Sequence, residues 1–127
     1  MTKKRILVVD DDSGIGEMLK TLLEFYGYEV TVTEQPEETI EIIKNKDIEL
    51  VMLDMLISGV NGTDVCMKLR DTEATAQIPV LMMSALHDAG IKCKKAGAND
   101  FIAKPFEMEE LIGKIESIFK EEDSSAK

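Results

Sequence analysis

Three aspartates stand in a row at Asp10, Asp11 and Asp12, a fourth ends an apolar run at Asp54, and comparable runs lead to Ser84 and Lys104. Carboxylates brought together repel one another, and the usual remedies are protonation or a hard cation such as Mg²⁺, which takes oxygen ligands and keeps several waters. Magnesium held in this way is commonly paired with a phosphoryl group. An ammonium such as that of Lys104 suits one phosphoryl oxygen, and a hydroxyl such as that of Ser84 can donate to another. A carboxylate among those partners can be the nucleophile, as in enzymes that form an aspartyl phosphate. Singly, each residue reads equally well as a soluble strand end. As a set they place suitable chemistry at four strand ends, which chance rarely does.

That chemistry requires the apolar runs to be strands whose ends meet. Lys4-Arg5-Ile6-Leu7-Val8-Val9 reads as a central first strand that stops at Asp10. From Ser13, taken as an N-cap, Ile15, Met18, Leu19, Leu22, Leu23 and Tyr26 recur at helical spacing as far as Gly27. Tyr28 to Thr33 alternates as a second strand, and Pro36 opens a second helix carrying Ile40 and Ile43. Ile48 to Leu53 is apolar enough to be a strand buried on both faces, with Asp54 where it leaves the core. The stretch Ser58-Gly59-Val60-Asn61-Gly62 has loop chemistry and precedes a third helix with Val65, Cys66 or Met67, and Leu69.

Pro79 opens a fourth strand, Val80 to Met83, ending at Ser84. A fourth helix over His87 to Ala96 is expected to be short and loose, because Gly90 within it costs about 1 kcal/mol relative to Ala. Asp100 to Ala103 forms a fifth strand running into Lys104-Pro105, and Met108, Leu111, Ile112, Ile115, Ile118 and Phe119 stripe a last helix. Asp12 and Asp64 read as helix-start residues. The alternation predicts one α/β domain over residues 1–120, a doubly wound five-stranded parallel sheet with helices on both faces, followed by a polar tail over 121–127 that is frayed or disordered. In a parallel sheet all strand ends point one way, so Asp10, Asp11, Asp54, Ser84 and Lys104 are expected to converge.

Bulk properties exclude several functions. With 25 acidic and 15 basic residues the net charge is −10, which disfavours direct binding to nucleic acid or to an anionic membrane. No run is long enough to span a bilayer and the start does not resemble a signal peptide, so a cytoplasmic location is expected. Cys66 and Cys93 lack any metal-ligand spacing and read as reduced, structural thiols, and His87 cannot build a histidine metal site alone.

The segments Ile6 to Asp12, Asp54 with Asn61-Gly62, Met83-Ser84-Ala85, and Ala96 to Phe106 together resemble the receiver domain of two-component response regulators, over nearly the whole chain from Arg5 to Phe119. The resemblance implies the flavodoxin-like strand order 2-1-3-4-5 and phosphorylation of Asp54 from a phosphohistidine of a sensor histidine kinase or a phosphotransfer protein. It implies Mg²⁺ held by Asp11, Asp54 and the main-chain carbonyl of Leu56, with Asp10 acting through water. Lys104 would pair with the phosphoryl group and Ser84 would move to hydrogen-bond it. Phe101 would change rotamer, altering the face of helix four, strand five and helix five toward a downstream protein target or an output domain. A cis Lys104–Pro105 peptide is also implied, and a phosphorylation-dependent dimer is compatible. Such a phosphoacceptor catalyses its own phosphorylation and dephosphorylation without turning over external substrates. With only a short acidic tail after Phe119, the chain reads as a stand-alone regulator or as a receiver cut from a longer protein.

Departures from the family pattern are visible. Ser58 stands where proline is frequent, the Ser84 to Gly97 segment reads about half a helical turn short, and Phe101 replaces a common tyrosine. Leu56 and Leu86 occupy the two positions that tune hydrolytic water, and both are apolar, which predicts a slowly lost phosphoryl group. Lys92, Lys94 and Lys95 form a basic island that belongs either to the output face or to a solvated helix surface. Two alternatives remain: a phosphatase of the haloacid dehalogenase type, whose second aspartate is here Leu56, and a phosphate-independent interaction module.

Overall fold

The structure is a computed structural model that describes residues 3–57, 59–86 and 89–125. In chain order the main elements are β1 (Arg5–Val9), α1 (Ser13–Phe25), β2 (Glu29–Thr33), α2 (Thr39–Lys46), β3 (Leu50–Asp54), α3 (Gly62–Asp71), β4 (Val80–Ser84), α4 (Gly90–Lys95), β5 (Asp100–Ala103) and α5 (Met108–Ser125). The five strands form one parallel sheet in the order β2-β1-β3-β4-β5. That is the flavodoxin-like order.

The continuous apolar runs are explained by burial on two faces. Leu7, Val9, Val51, Leu53, Val80 and Met82 pack with Ile43, Cys66, Leu69 and Cys93 of α2, α3 and α4. Their neighbours Ile6, Val8, Leu50, Met52, Leu81 and Met83 pack with Leu19 and Leu23 of α1 and Leu111, Ile115 and Ile118 of α5. Successive strand side chains point to opposite faces, so a strand covered on both sides has no polar alternation to display. The central strands β1, β3 and β4 therefore announce their ends only by the first polar residue.

Several boundaries differ from the sequence reading for local reasons. The N-cap of α1 is Asp12, whose Oδ1 accepts from the Ile15 N–H at 3.2 Å, so Ser13 is the first helical residue and not the cap. Pro36 opens a 3₁₀ turn over Pro36–Glu38, and α2 proper starts at Thr39. Strand β3 begins at Leu50, two residues after Ile48, and includes Asp54. Asp47 is left-handed (φ 52°) and the Ile48 N–H donates to the Ile43 carbonyl, so Ile48 is spent on leaving α2. Helix α5 continues through residues 121–125, where the sequence predicts a frayed tail; Glu121 and Glu122 are good helix formers, and Lys4 Nζ meets Asp123 Oδ1 at 3.4 Å. The readings made for Ser58, His87 and the last two residues lie outside the described residues.

Arg70 is a structural side chain that helical periodicity did not mark. Its guanidinium donates to the carbonyls of Gly97 (3.0 Å) and Ile78 (2.7 Å) and to Asn99 Oδ1 (3.1 Å). It thus ties α3 to the chain entering β4 and to the turn between α4 and β5. Gly97 has φ +106° and would bring a Cβ to 2.8 Å from the Arg70 stem, so glycine is required there twice over.

Candidate functional site

The site lies at the carboxyl edge of β1, β3, β4 and β5. Asp10 follows β1, is fully buried, and continues the ladder through its N–H to the Thr33 carbonyl. Its two carboxylate oxygens are divided: Oδ1 accepts from the Asp12 N–H at 2.9 Å, which links the site to the cap of α1, and Oδ2 accepts from Lys104 Nζ at 2.9 Å. Asp54 ends β3 and accepts the same Lys104 ammonium at 3.2 Å. Asp11 is exposed at the mouth, and one carboxylate oxygen from each of Asp10, Asp11 and Asp54 falls within 4.8 Å of the others. Four of the five polar residues expected at the strand ends therefore meet.

Ser84 is placed differently. It is buried at the end of β4, but its Oγ accepts from the Leu86 N–H at 3.0 Å, while its carbonyl accepts from the Lys104 N–H at 2.7 Å. Its hydroxyl is thus held in the β4–α4 turn, and the strand end it shares with Lys104 is joined through main chain. Leu56 and Leu86, the residues two beyond Asp54 and Ser84, are 66% and 60% exposed.

The backbone beside Asp54 is fixed by a device only partly legible in sequence. Leu56–Ile57 and Val60–Asn61 form a two-residue antiparallel ribbon, and the Gly62 N–H donates to the Met55 carbonyl. An added Cβ on Gly62 would lie 2.1 Å from the Asp54 carbonyl oxygen, so the chain passes too close for any side chain. Asn61 caps α3, its Oδ1 accepting from the Thr63 N–H at 3.2 Å and the Thr63 hydroxyl at 2.7 Å. Asn61-Gly62 therefore starts α3 and presses it against the strand end; Asp64 sits in the first turn, as a helix-start acid should.

The electrostatics are unbalanced. Burial and the negative charge of Asp10 push the Asp54 carboxyl above its ordinary value, with Lys104 and the Leu56 main-chain N–H pulling the other way. Burial opposes the Lys104 charge, yet its hydrogen bond to Asp10 and the charges of Asp54 and Asp10 outweigh it, so the lysine is held above its usual range. The two directions agree once partners are counted: the Lys104 ammonium is shared between Asp10 and Asp54 and sits closer to Asp10. Asp54 is left with surplus negative charge around it. The donors in this cluster are hard oxygens, and the excess charge fits a Mg²⁺-type cation better than a soft metal. Cys66 and Cys93 are buried in the core on the α2–α3–α4 side of the sheet.

Phe101 of β5 is half-buried against the start of α4, where Gly90 would place a Cβ 3.5 Å from ring atom Cδ2. The glycine read as a weak point of the helix is also the residue on which the ring rests. The Lys104–Pro105 peptide is cis, as the resemblance implies.

Fold and site together define a doubly wound α/β domain with an acidic, cation-ready pocket at its carboxyl edge. The family pattern of the response regulator receiver domain matches residues 6–116, and the chain belongs to that family. It is 33% identical to the phosphate regulon transcriptional regulatory protein PhoB of Pseudomonas aeruginosa, over 94% of this chain and 53% of that protein. It is 35% identical to the DNA-binding regulator RpaA of Synechocystis sp., over 94% of this chain and 50% of that protein. The chain thus spans about half the length of these curated relatives. Among solved structures, a CheY-like receiver domain from Methanospirillum hungatei superposes with a TM-score of 0.88 at 28% identity, covering 98% of this chain and 99% of the other. The receiver domain of a Francisella response regulator gives 0.84 at 28% identity, covering 94% and 98%. Receivers work in phosphorylation-based two-component signalling and bind Mg²⁺ at an acidic pocket. Among the described residues, no helix is long and apolar enough to cross a membrane.

Proposed function

We propose that this domain accepts a phosphoryl group on Asp54 from the phosphohistidine of a sensor kinase or phosphotransfer protein and passes the event on through protein contacts. The observation that carries this reading is Asp54 itself, a strand-end carboxylate with one ammonium at 3.2 Å and two more carboxylates gathered within 4.8 Å. In the transfer, an Asp54 oxygen bonds to phosphorus as the bond from phosphorus to the donor imidazole breaks. Asp11, Asp54 and the Leu56 carbonyl would hold Mg²⁺, with Asp10 acting through water. Bound there, the ion would supply charge neutralisation to the incoming phosphoryl oxygens.

The chain's own residues do the rest. Lys104, bridging Asp10 and Asp54, is placed to shift its ammonium onto a phosphoryl oxygen. Ser84 exchanges its bond from Leu86 for one to the phosphoryl group, which draws the β4–α4 turn inward. Phe101 follows, and because its ring rests on Gly90, the α4–β5–α5 face is altered. The chemistry ends with the domain's own phosphorylation and dephosphorylation. The receiving partner is a downstream protein or an output domain in the same polypeptide.

The test is intact-mass analysis after incubation with acetyl phosphate and Mg²⁺. One phosphoryl adduct is expected in the parent and none in Asp54→Asn or in the parent with EDTA. An adduct persisting in Asp54→Asn overturns the assignment, and turnover of a chromogenic phosphate ester overturns the switch reading in favour of a phosphatase.

A further inference from the structure

A second surface combines features that the phosphoacceptor site does not use. Helix α4 carries no acid in its first turn, and its last turn presents Lys92, Lys94 and Lys95, all exposed. In this chain of net charge −10, Lys4, Lys20, Lys104 and Lys114 each reach a carboxylate, whereas Lys3, Lys44, Lys46, Lys68 and Lys120 form no ion pair among the described residues. Lys92, Lys94 and Lys95 likewise form no ion pair among the described residues, and what sets them apart is that they cluster on one helix end. A solvated helix end favoured by the macrodipole would account for that much.

The groove beside them asks for more. Lys92 and Lys95, with Met55, Asn61, Thr63 and Met67, line a cavity of about 280 Å³ between α3 and α4, and no carboxylate is among its described lining residues. Met67 is 46% exposed, and methionine surfaces adapt to varied apolar side chains. The volume lies below the roughly 300–1,000 Å³ of small-molecule sites, and is matched to one or two side chains of a peptide. The base of the groove is held firmly, since Met55 donates its N–H to the Met83 carbonyl at 2.8 Å and accepts from Gly62.

We propose that the groove between α3 and α4 docks an acidic, leucine-bearing segment of a partner protein, with Lys92 and Lys95 meeting its carboxylates and Met55 and Met67 receiving an apolar side chain. Charge complementarity selects this occupant: among the described residues, the lining of the groove carries Lys92 and Lys95 and no carboxylate, on a protein that is acidic as a whole. A nucleic acid would share the attraction to the lysines, but its continuous polyanion would extend beyond the groove onto the remaining acidic surface, which a short segment does not. The proposal requires no phosphoryl group, so it stands apart from the function proposed above.

Fluorescence anisotropy with a fluorescein-labelled peptide of Glu-Glu-Leu-Leu repeats tests it on the unphosphorylated protein. The parent is expected to bind, and Lys92→Glu/Lys95→Glu to weaken binding at least about tenfold. Met67→Ala should weaken it as well. Lys44→Glu/Lys46→Glu on α2 changes the net charge equally and should leave binding within about twofold of the parent, and thermal melts of all variants show that they are folded. The proposal is overturned by no binding to the parent, by equal weakening in the α2 variant, or by equal binding of a Gln-Gln-Leu-Leu peptide. Tighter binding of a labelled DNA duplex than of the acidic peptide overturns it as well.

Discussion

Replacing Asp54 by Asn is expected to stabilise the domain in magnesium-free buffer. The substitution keeps the shape and removes one negative charge. At an effective dielectric of about 20, a carboxylate within 4.8 Å of Asp54 repels it by about 3.5 kcal/mol, and Lys104 at 3.2 Å attracts it by about 5 kcal/mol. Desolvation of Asp54 and the repulsion of Asp10 together outweigh that single attraction, which is the direction in which its carboxyl is shifted. Lys104 is not orphaned by the change, because Asp10 keeps it at 2.9 Å. The net gain is about 1–2 kcal/mol, or roughly 3–8 °C in Tm for a domain of this size.

The pH dependence has a definite sign. The folded Asp54 pKa is raised, so the stability this group contributes is intact below its unfolded value and lost as pH rises through the folded one. The advantage of Asn should therefore be present at neutral pH and vanish in acid. Magnesium should act oppositely, stabilising the parent by about 1.4 kcal/mol for each tenfold excess over Kd and leaving Asp54→Asn largely unmoved. Urea titrations followed by circular dichroism, with EDTA and with Mg²⁺, read all of this. A variant less stable than the parent in EDTA by 2 kcal/mol or more, on the order of a broken buried ion pair, would refute the charge argument. Equal stabilisation of both proteins by Mg²⁺ would refute the ligand set.

Three further outcomes are expected. Gly62→Ala should cost about 1–3 kcal/mol in urea unfolding and shrink the Mg²⁺-dependent gain, because the new methyl meets the Asp54 carbonyl oxygen; a variant of parental stability removes that argument. The Leu56→Asn/Leu86→Glu variant should lose its phosphoryl group at least about tenfold faster than the parent, since both positions are exposed beside the site and gain groups able to orient water; unchanged decay of the labelled domain sinks this idea. Cys66 and Cys93 are fully buried and burial raises both thiols, so Ellman's reagent should modify the native protein slowly at neutral pH and the urea-unfolded protein at once; fast native labelling contradicts the packing.

The site was legible because each buried strand is silent along its length and speaks at its end. Asp10, Asp54, Ser84 and Lys104 follow apolar runs directly, and a parallel sheet can only collect them on one edge. What sequence could not show was the partner each group takes first. Ser84 is engaged by the Leu86 N–H, a contact that depends on the curvature of the β4–α4 turn. Asp12 and Ser13 are both good caps, and only the dihedral angles choose between them. Arg70 looks like an ordinary surface cation in an amphipathic helix until the turn before β4 and the turn after α4 are folded around it. Gly62 was readable as turn chemistry, whereas its contact with the Asp54 main chain depends on how the ribbon folds back.

The central claim is that Asp54, among the clustered aspartates, is the residue that carries the phosphoryl group. Borohydride reduces an acyl phosphate to the alcohol, so the parent labelled with acetyl phosphate and Mg²⁺, reduced and digested, should yield homoserine in place of Asp54 in the peptide that contains Leu53 and Met55. Homoserine at Asp10 or Asp11, or no reduced residue in a protein that still shows the phosphoryl adduct by intact mass, would contradict the account.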